Sequence, residues 1–199
     1  MPDPLILASG STIRARLLRD AGVAFDVRPV AVDEEAMRAA LTQERATPRD
    51  IADALAEMKA LRAAGRAPGS LVLGCDQILA IGTEVFGKAA DRDEAHAQLM
   101  RLQGRTHQLL SAAVLVENGR PVWRKVGVAR LTMHALIAAE IDAYLDRAWP
   151  EVAPCVGCYQ VEALGVRLFA HIDGDYFSIL GLPLVDLLSY LRLRGSLPA

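Results

Sequence analysis

Leu71-Val72-Leu73-Gly74-Cys75-Asp76-Gln77 opens on three branched apolar residues and closes on an acid and an amide. Residues 71–79 read as a strand, and the unbroken apolar start implies burial on both faces. Asp76 then ends the apolar run, at a strand's carboxyl end, where α/β sheets place ligand sites. A structural acid capping a neighbouring element fits the position equally well, so both readings stand open here.

Before this strand, Thr47-Pro48-Arg49-Asp50 supplies a cap, an N1 proline and an acid at N3, the opening of a helix. Ile51, Leu55, Met58 and Leu61 repeat at helical spacing and carry it to about Ala64. Further upstream, residues 5–8 form a short apolar strand, and Ser9-Gly10-Ser11-Thr12 turns it into a helix ended by Gly22. Residues 25–31 read as a second strand, followed by an acidic turn, Asp33-Glu34-Glu35.

Downstream, Asp91 caps a helix with Glu94 at N3 and Gly104 beyond its end. Residues 107–117 and 121–133 are strands, and Asn118-Gly119 between them is a hairpin signal. Residues 138–147 are helical, 159–172 read as a hairpin turning near Gly165, and 183–192 close the chain as a helix with its proline near N1. Helices and strands mix without strict alternation. The expected class is α/β, a mixed, twisted sheet flanked by helices, with residues 1–199 as one domain in two lobes around a cleft.

A length of 199 residues with 52% hydrophobic residues suffices for a real core. A net charge of −2 offers no bulk attraction for a nucleic-acid polymer, although a single nucleotide needs only local cations. No apolar run reaches the roughly 18 residues of a membrane span, and Met1–Pro4 lacks the basic start of a signal peptide. A soluble cytoplasmic protein is expected. Cys155-Val156-Gly157-Cys158 could be redox-active or half a zinc site, but no second pair exists and no histidines stand at ligand spacing. Two small residues in a loop is the favoured reading.

The turn 9–12 leads into a helix N-terminus, whose free N–H groups suit a phosphate, with Arg14 and Arg16 one turn inside. An ordinary capped turn is the commoner use of such a segment. Carboxylates from two segments, Asp33-Glu34-Glu35 and Asp76, suit a hard divalent ion, while an acidic turn alone is more often solvated. Lys59 and Lys88 could each neutralise a phosphate or simply snorkel.

Together these motifs resemble the Maf family of nucleoside triphosphate pyrophosphatases. The resemblance runs through Ser9-Gly10-Ser11-Thr12-Ile13-Arg14, Asp33-Glu34, Leu55-Ala56-Glu57-Met58-Lys59-Ala60, Gly74-Cys75-Asp76-Gln77, Gly87-Lys88-Ala89, Leu102-Gln103-Gly104-Arg105-Thr106-His107 and Gly181-Leu182-Pro183-Leu184. Thr12 and Ile13 depart from the family's proline and first arginine. The resemblance implies hydrolysis of a nucleoside triphosphate to monophosphate and pyrophosphate with Mg²⁺ or Mn²⁺, often as a homodimer. It implies Asp76 as the catalytic acid, Glu34 as a metal-associated carboxylate beside it, Lys59 and Lys88 as further catalytic groups, and Ser9, Ser11 and Arg14 against phosphate. Ile13, Gln77 and Glu162 are similar to the branch acting on 7-methyl-GTP. A carboxylate also accepts from a guanine edge and favours a cationic methylated ring. The alternatives are a dTTP/UTP or inosine-triphosphate-type pyrophosphatase, and a nucleotide-binding regulator of cell division without turnover.

Overall fold

The computed structural model describes residues 5–197, so Met1–Pro4 and the last two residues lie outside it. Strand β1 (Leu5–Leu7) leads through the Ser9–Ser11 turn into helix α1 (Thr12–Asp20). The Ser11 side chain caps α1 by accepting from the Arg14 N–H. Strand β2 (Phe25–Val27) is shorter than expected: the paired segment ends where β1 does. The acidic segment is not a turn. Asp33 caps helix α2 (Glu34–Gln43), placing both glutamates in a first turn, where the helix dipole favours them.

Helix α3 (Pro48–Ala64) begins with the expected capping box of Thr47 and Asp50. Strand β3 spans Leu71–Ile81 and β4 Glu84–Phe86. Asp76 therefore sits inside a strand and does not end one. Helix α4 (Arg92–Leu102), strands β5 (Thr106–Glu117) and β6 (Arg120–Met133), and helix α5 (Ala138–Ala148) follow as expected. Asn118 and Gly119 both take positive φ, 50° and 72°, as the two-residue hairpin requires. Residues 159–172 are not a hairpin: they make turns, a 3₁₀ segment at Leu164–Leu168, and then strand β7 (Phe169–Asp173). Gly165 has no room for a side chain, because a Cβ there would lie 2.6 Å from the Gln160 carbonyl oxygen. Helix α6 (Tyr176–Ile179) precedes α7 (Leu184–Leu193), which Pro183 caps from outside.

The sheet order is β2-β1-β3-β5-β6-β7, with β4 beside the far half of β3. β1 pairs in parallel with β2 and β3, and the remaining pairs are antiparallel. One apolar cluster packs α3 against Val72, Ile78, Ala112 and Val114; the other joins Leu73, Cys75 and Leu79 to residues of α1, α4, α5 and α7. Alternating residues of β3 thus serve opposite faces. No helix of the described residues is long and apolar enough to cross a membrane.

His107 on β5 is buried, with Nε2 2.7 Å from the Tyr159 hydroxyl and Nδ1 without a partner. Burial pushes its pKa from 6.5 down to about 4. The unfolded chain therefore binds the extra proton first, so this contribution is complete above pH 6.5 and is lost as pH falls toward 4. At roughly 1.4 kcal/mol per pKa unit it amounts to about 3 kcal/mol. Denaturant unfolding of His107→Gln and the parent across that window should show a flatter pH dependence in the variant.

Candidate active site

The pairing of β3 explains where a cleft can open. β1 runs beside it only to Leu73, where the Ala8 N–H donates to the Leu73 carbonyl at 2.8 Å. β4 joins the same side only at Leu79. Between them Asp76 and Gln77 are paired to β5 alone, opposite Ala112 and Ser111. A cleft of about 870 Å³ lies over this gap, lined by Ser9, Ser11, Ile13, Arg14, Glu34, Lys59, Asp76, Gln77, Lys88 and Glu162. All ten residues expected at the site from the sequence border one cavity.

Asp76 points to the α3 side. Gly74, on the same face, lets α3 come down onto the strand: a Cβ there would lie 2.1 Å from the Ala56 carbonyl oxygen and 2.6 Å from the Ala60 nitrogen. That approach brings Lys59 to the sheet. Its Nζ donates to Asp76 Oδ1 at 2.6 Å and pairs with Glu34 Oε1 at 2.8 Å. Lys59 is buried and does not snorkel: its side chain is 10% exposed, Asp76 7% and Glu34 34%. Burial raises the Asp76 carboxyl above its ordinary value despite the opposing charges of Lys59 and Arg14. Burial also acts to raise Glu34, but Lys59, with Lys88 and Arg38 behind it, outweighs that and holds Glu34 below the ordinary carboxylate value. Two neighbouring carboxyls are thus driven apart, which suits a division between proton acceptor and permanent anion.

Arg14 is largely engaged by the protein. Its Nε donates to the Gly181 carbonyl at 2.8 Å and Nη1 to Ser9 Oγ at 3.1 Å and the Cys75 carbonyl at 3.4 Å. It ties the 9–11 turn to the free edge of β3 and to the end of α6. Gln77 points to the other face of the sheet. Its Nε2 donates to Ser111 Oγ at 2.9 Å and to the Ile179 carbonyl at 2.9 Å, leaving the amide oxygen as an acceptor. Lys88 is exposed and, among the described residues, has no ion pair. Its loop is held by Gln98, whose Nε2 donates to the Gly87 carbonyl at 3.2 Å.

A family model described as Maf-like protein matches residues 4–194. The chain belongs to the Maf family. It is 58% identical over 191 residues to the nucleoside triphosphate pyrophosphatase 1 of Jannaschia sp. (strain CCS1), covering 96% of each chain. It is 52% identical over 198 residues to the nucleoside triphosphate pyrophosphatase of Roseobacter denitrificans, covering 100% of each. It is 47% identical over 197 residues to the 7-methyl-GTP pyrophosphatase of Mesorhizobium japonicum, covering 99% of each.

In this Maf-family chain the cleft also contains residues that sequence reasoning passed over: Arg38, Tyr159 and Gln160. Reading Asp33 as a helix cap would have placed Arg38 one turn from Glu34 on the same face. Cys155 lines the cleft and Cys158 is buried behind it; both thiols are free, and among the described residues no group of three metal-ligating side chains forms around them.

Removing Lys59 leaves Asp76 buried without its counter-charge. Lys59→Met should lower unfolding free energy by about 3–5 kcal/mol. Lys59→Met combined with Asp76→Asn should recover a large part of that loss, measured by denaturant titration.

Proposed function

We propose that this chain hydrolyses a nucleoside triphosphate between its α- and β-phosphates, releasing the monophosphate and pyrophosphate. The observation that carries the reading is the Asp76–Lys59–Glu34 cluster at the floor of a cleft edged by a helix-opening turn and by free cations. The names of the Jannaschia and Roseobacter relatives support the same class.

In this reading the 9–11 turn meets phosphate oxygens with Ser9, Ser11 and the N-terminal amides of α1. Asp76 Oδ1 is held by Lys59, and Oδ2 takes the proton of the attacking water. The water oxygen bonds to the α-phosphorus, the bond to the bridging oxygen breaks, and pyrophosphate leaves with that oxygen. Arg14 keeps the 9–11 turn in register with Asp76. Lys59 and Lys88 offset negative charge as it develops.

Glu34 Oε1 and Asp76 Oδ1 both accept from one Nζ, so the two carboxylates converge on the same part of the cleft. Magnesium is usually held by one or two carboxylates together with substrate phosphates, and this donor pair fits that pattern. Bound there with the substrate, Mg²⁺ or Mn²⁺ would supply Lewis-acid neutralisation of phosphate charge. From the family resemblance the reading also includes a homodimer, which light scattering checks.

For the base we propose 7-methylguanine. Glu162 reaches the cleft from the 155–163 segment beside Gln160, and its carboxylate complements a cationic ring. The name of the Mesorhizobium relative supports this choice.

Pyrophosphate release measured with dTTP, UTP, ITP, GTP and 7-methyl-GTP tests both levels. 7-Methyl-GTP should be the best substrate, and no release from any of the five would overturn the activity. Asp76→Asn should reduce kcat by at least about 100-fold, the scale of a positioned base. Glu162→Gln should lower kcat/KM for 7-methyl-GTP about tenfold relative to GTP, one lost charge contact being worth roughly that factor. An equal loss for both would remove Glu162 from base selection.

A further inference from the structure

Five basic residues border the cleft: Arg14, Arg16, Arg38, Lys59 and Lys88. Two of them are occupied by the protein. Lys59 holds Asp76 and Glu34, and Arg14 holds Ser9, Cys75 and Gly181. A triphosphate carries about four negative charges, so its outer phosphates need cations that the protein has not already engaged.

Arg38 meets that need in a specific way. It lies on α2 four residues after Glu34 and borders the cleft half-buried. Its Nε is shut off from solvent and has no hydrogen-bond acceptor. Among the described residues no carboxylate pairs with its guanidinium. A buried, unsatisfied N–H on a cation costs free energy unless an acceptor arrives. The other end of the guanidinium lies against the loop that carries Lys88. A Cβ on Gly87 would stand 3.2 Å from Arg38 Nη1, so the missing side chain there makes room for the guanidinium.

Along the cleft, Arg38 lies one helical turn from Glu34 on α2 and reaches the Gly87–Lys88 loop, whereas Glu162 belongs to the separate 155–163 segment.

We propose that Arg38 is a substrate-positioning residue that grips the pyrophosphate portion of the triphosphate, using its fork together with Lys88. The assignment of which end of the cleft takes phosphate rests on the proposed function above. A guanidinium suits this task because it can bind two oxygens at once, which an ammonium cannot.

Calorimetric titration of the intact protein with inorganic pyrophosphate and, separately, with guanosine monophosphate, in Mg²⁺, tests it directly. Arg38→Gln should weaken pyrophosphate binding about tenfold, the scale of one charge-assisted contact, and leave the monophosphate unchanged. Arg38→Lys should restore part of the loss. Equal weakening of both ligands, or of neither, would overturn the assignment. Thermal melts of both variants should match that of the parent, so that a weakened affinity reports a lost contact. The same binding experiment applies if the parent protein releases no pyrophosphate from any triphosphate. That result would end the proposed activity, while selective loss of pyrophosphate binding would still support Arg38 as an anion-gripping residue.

Discussion

The Lys59 ammonium lies between Asp76 and Glu34, and the arrangement of this molecule around its cleft depends on that contact. Two carboxylates so close to a sheet repel each other and lose hydration. One buried cation answers both costs. It also joins three elements, because Lys59 comes from α3, Asp76 from β3 and Glu34 from α2. The contact requires that α3 lie against the strand, which Gly74 alone permits at that point. A side chain at residue 74 would move the helix and carry the lysine away from both acids.

The interrupted pairing of β3 is the second constraint. A central strand usually has neighbours along its whole length. Here β1 leaves after Leu73 and β4 arrives at Leu79, so the strand edge between them is open. The backbone there still needs partners. Arg14 supplies one, donating to the Cys75 carbonyl. The side chains of Asp76 and Gln77 leave opposite faces of the sheet, yet both border one cleft because the cleft wraps around that open edge. The cleft is therefore a consequence of where neighbouring strands stop.

Much of this was legible in the chain. Helix α3 announced itself through Thr47, Pro48 and Asp50, and the β5–β6 hairpin through Asn118-Gly119, because caps and primed turns are local chemistry with strong residue preferences. The segments misread were those whose form depends on distant partners. Residues 159–168 have apolar alternation, but Tyr159 is taken up by His107 on β5, and Gly165 packs directly against the Gln160 backbone, so the segment coils and forms no paired strands. Helix α2 has no fully buried residue to supply an apolar stripe; it docks through Glu34 and partly buried residues such as Met37 and Leu41. A periodicity reading cannot find such a helix.

The sequence by itself determined the family to which the chain belongs and named ten residues that border the cleft, because short motifs preserve residue type and order. Which partners each residue engages was decided by the tertiary structure. Arg14 and Lys59 looked like cations for phosphate, and both are largely engaged by protein groups, while Arg38, which no motif marked, retains a buried donor without a partner. Asp76 looked like the end of a strand and is its interior, exposed to the cleft only because two other strands stop short. The physical reason is the same throughout. A side chain's charge and hydrogen-bonding capacity are written in its identity, but which partner uses that capacity depends on elements far away in the chain and close in space.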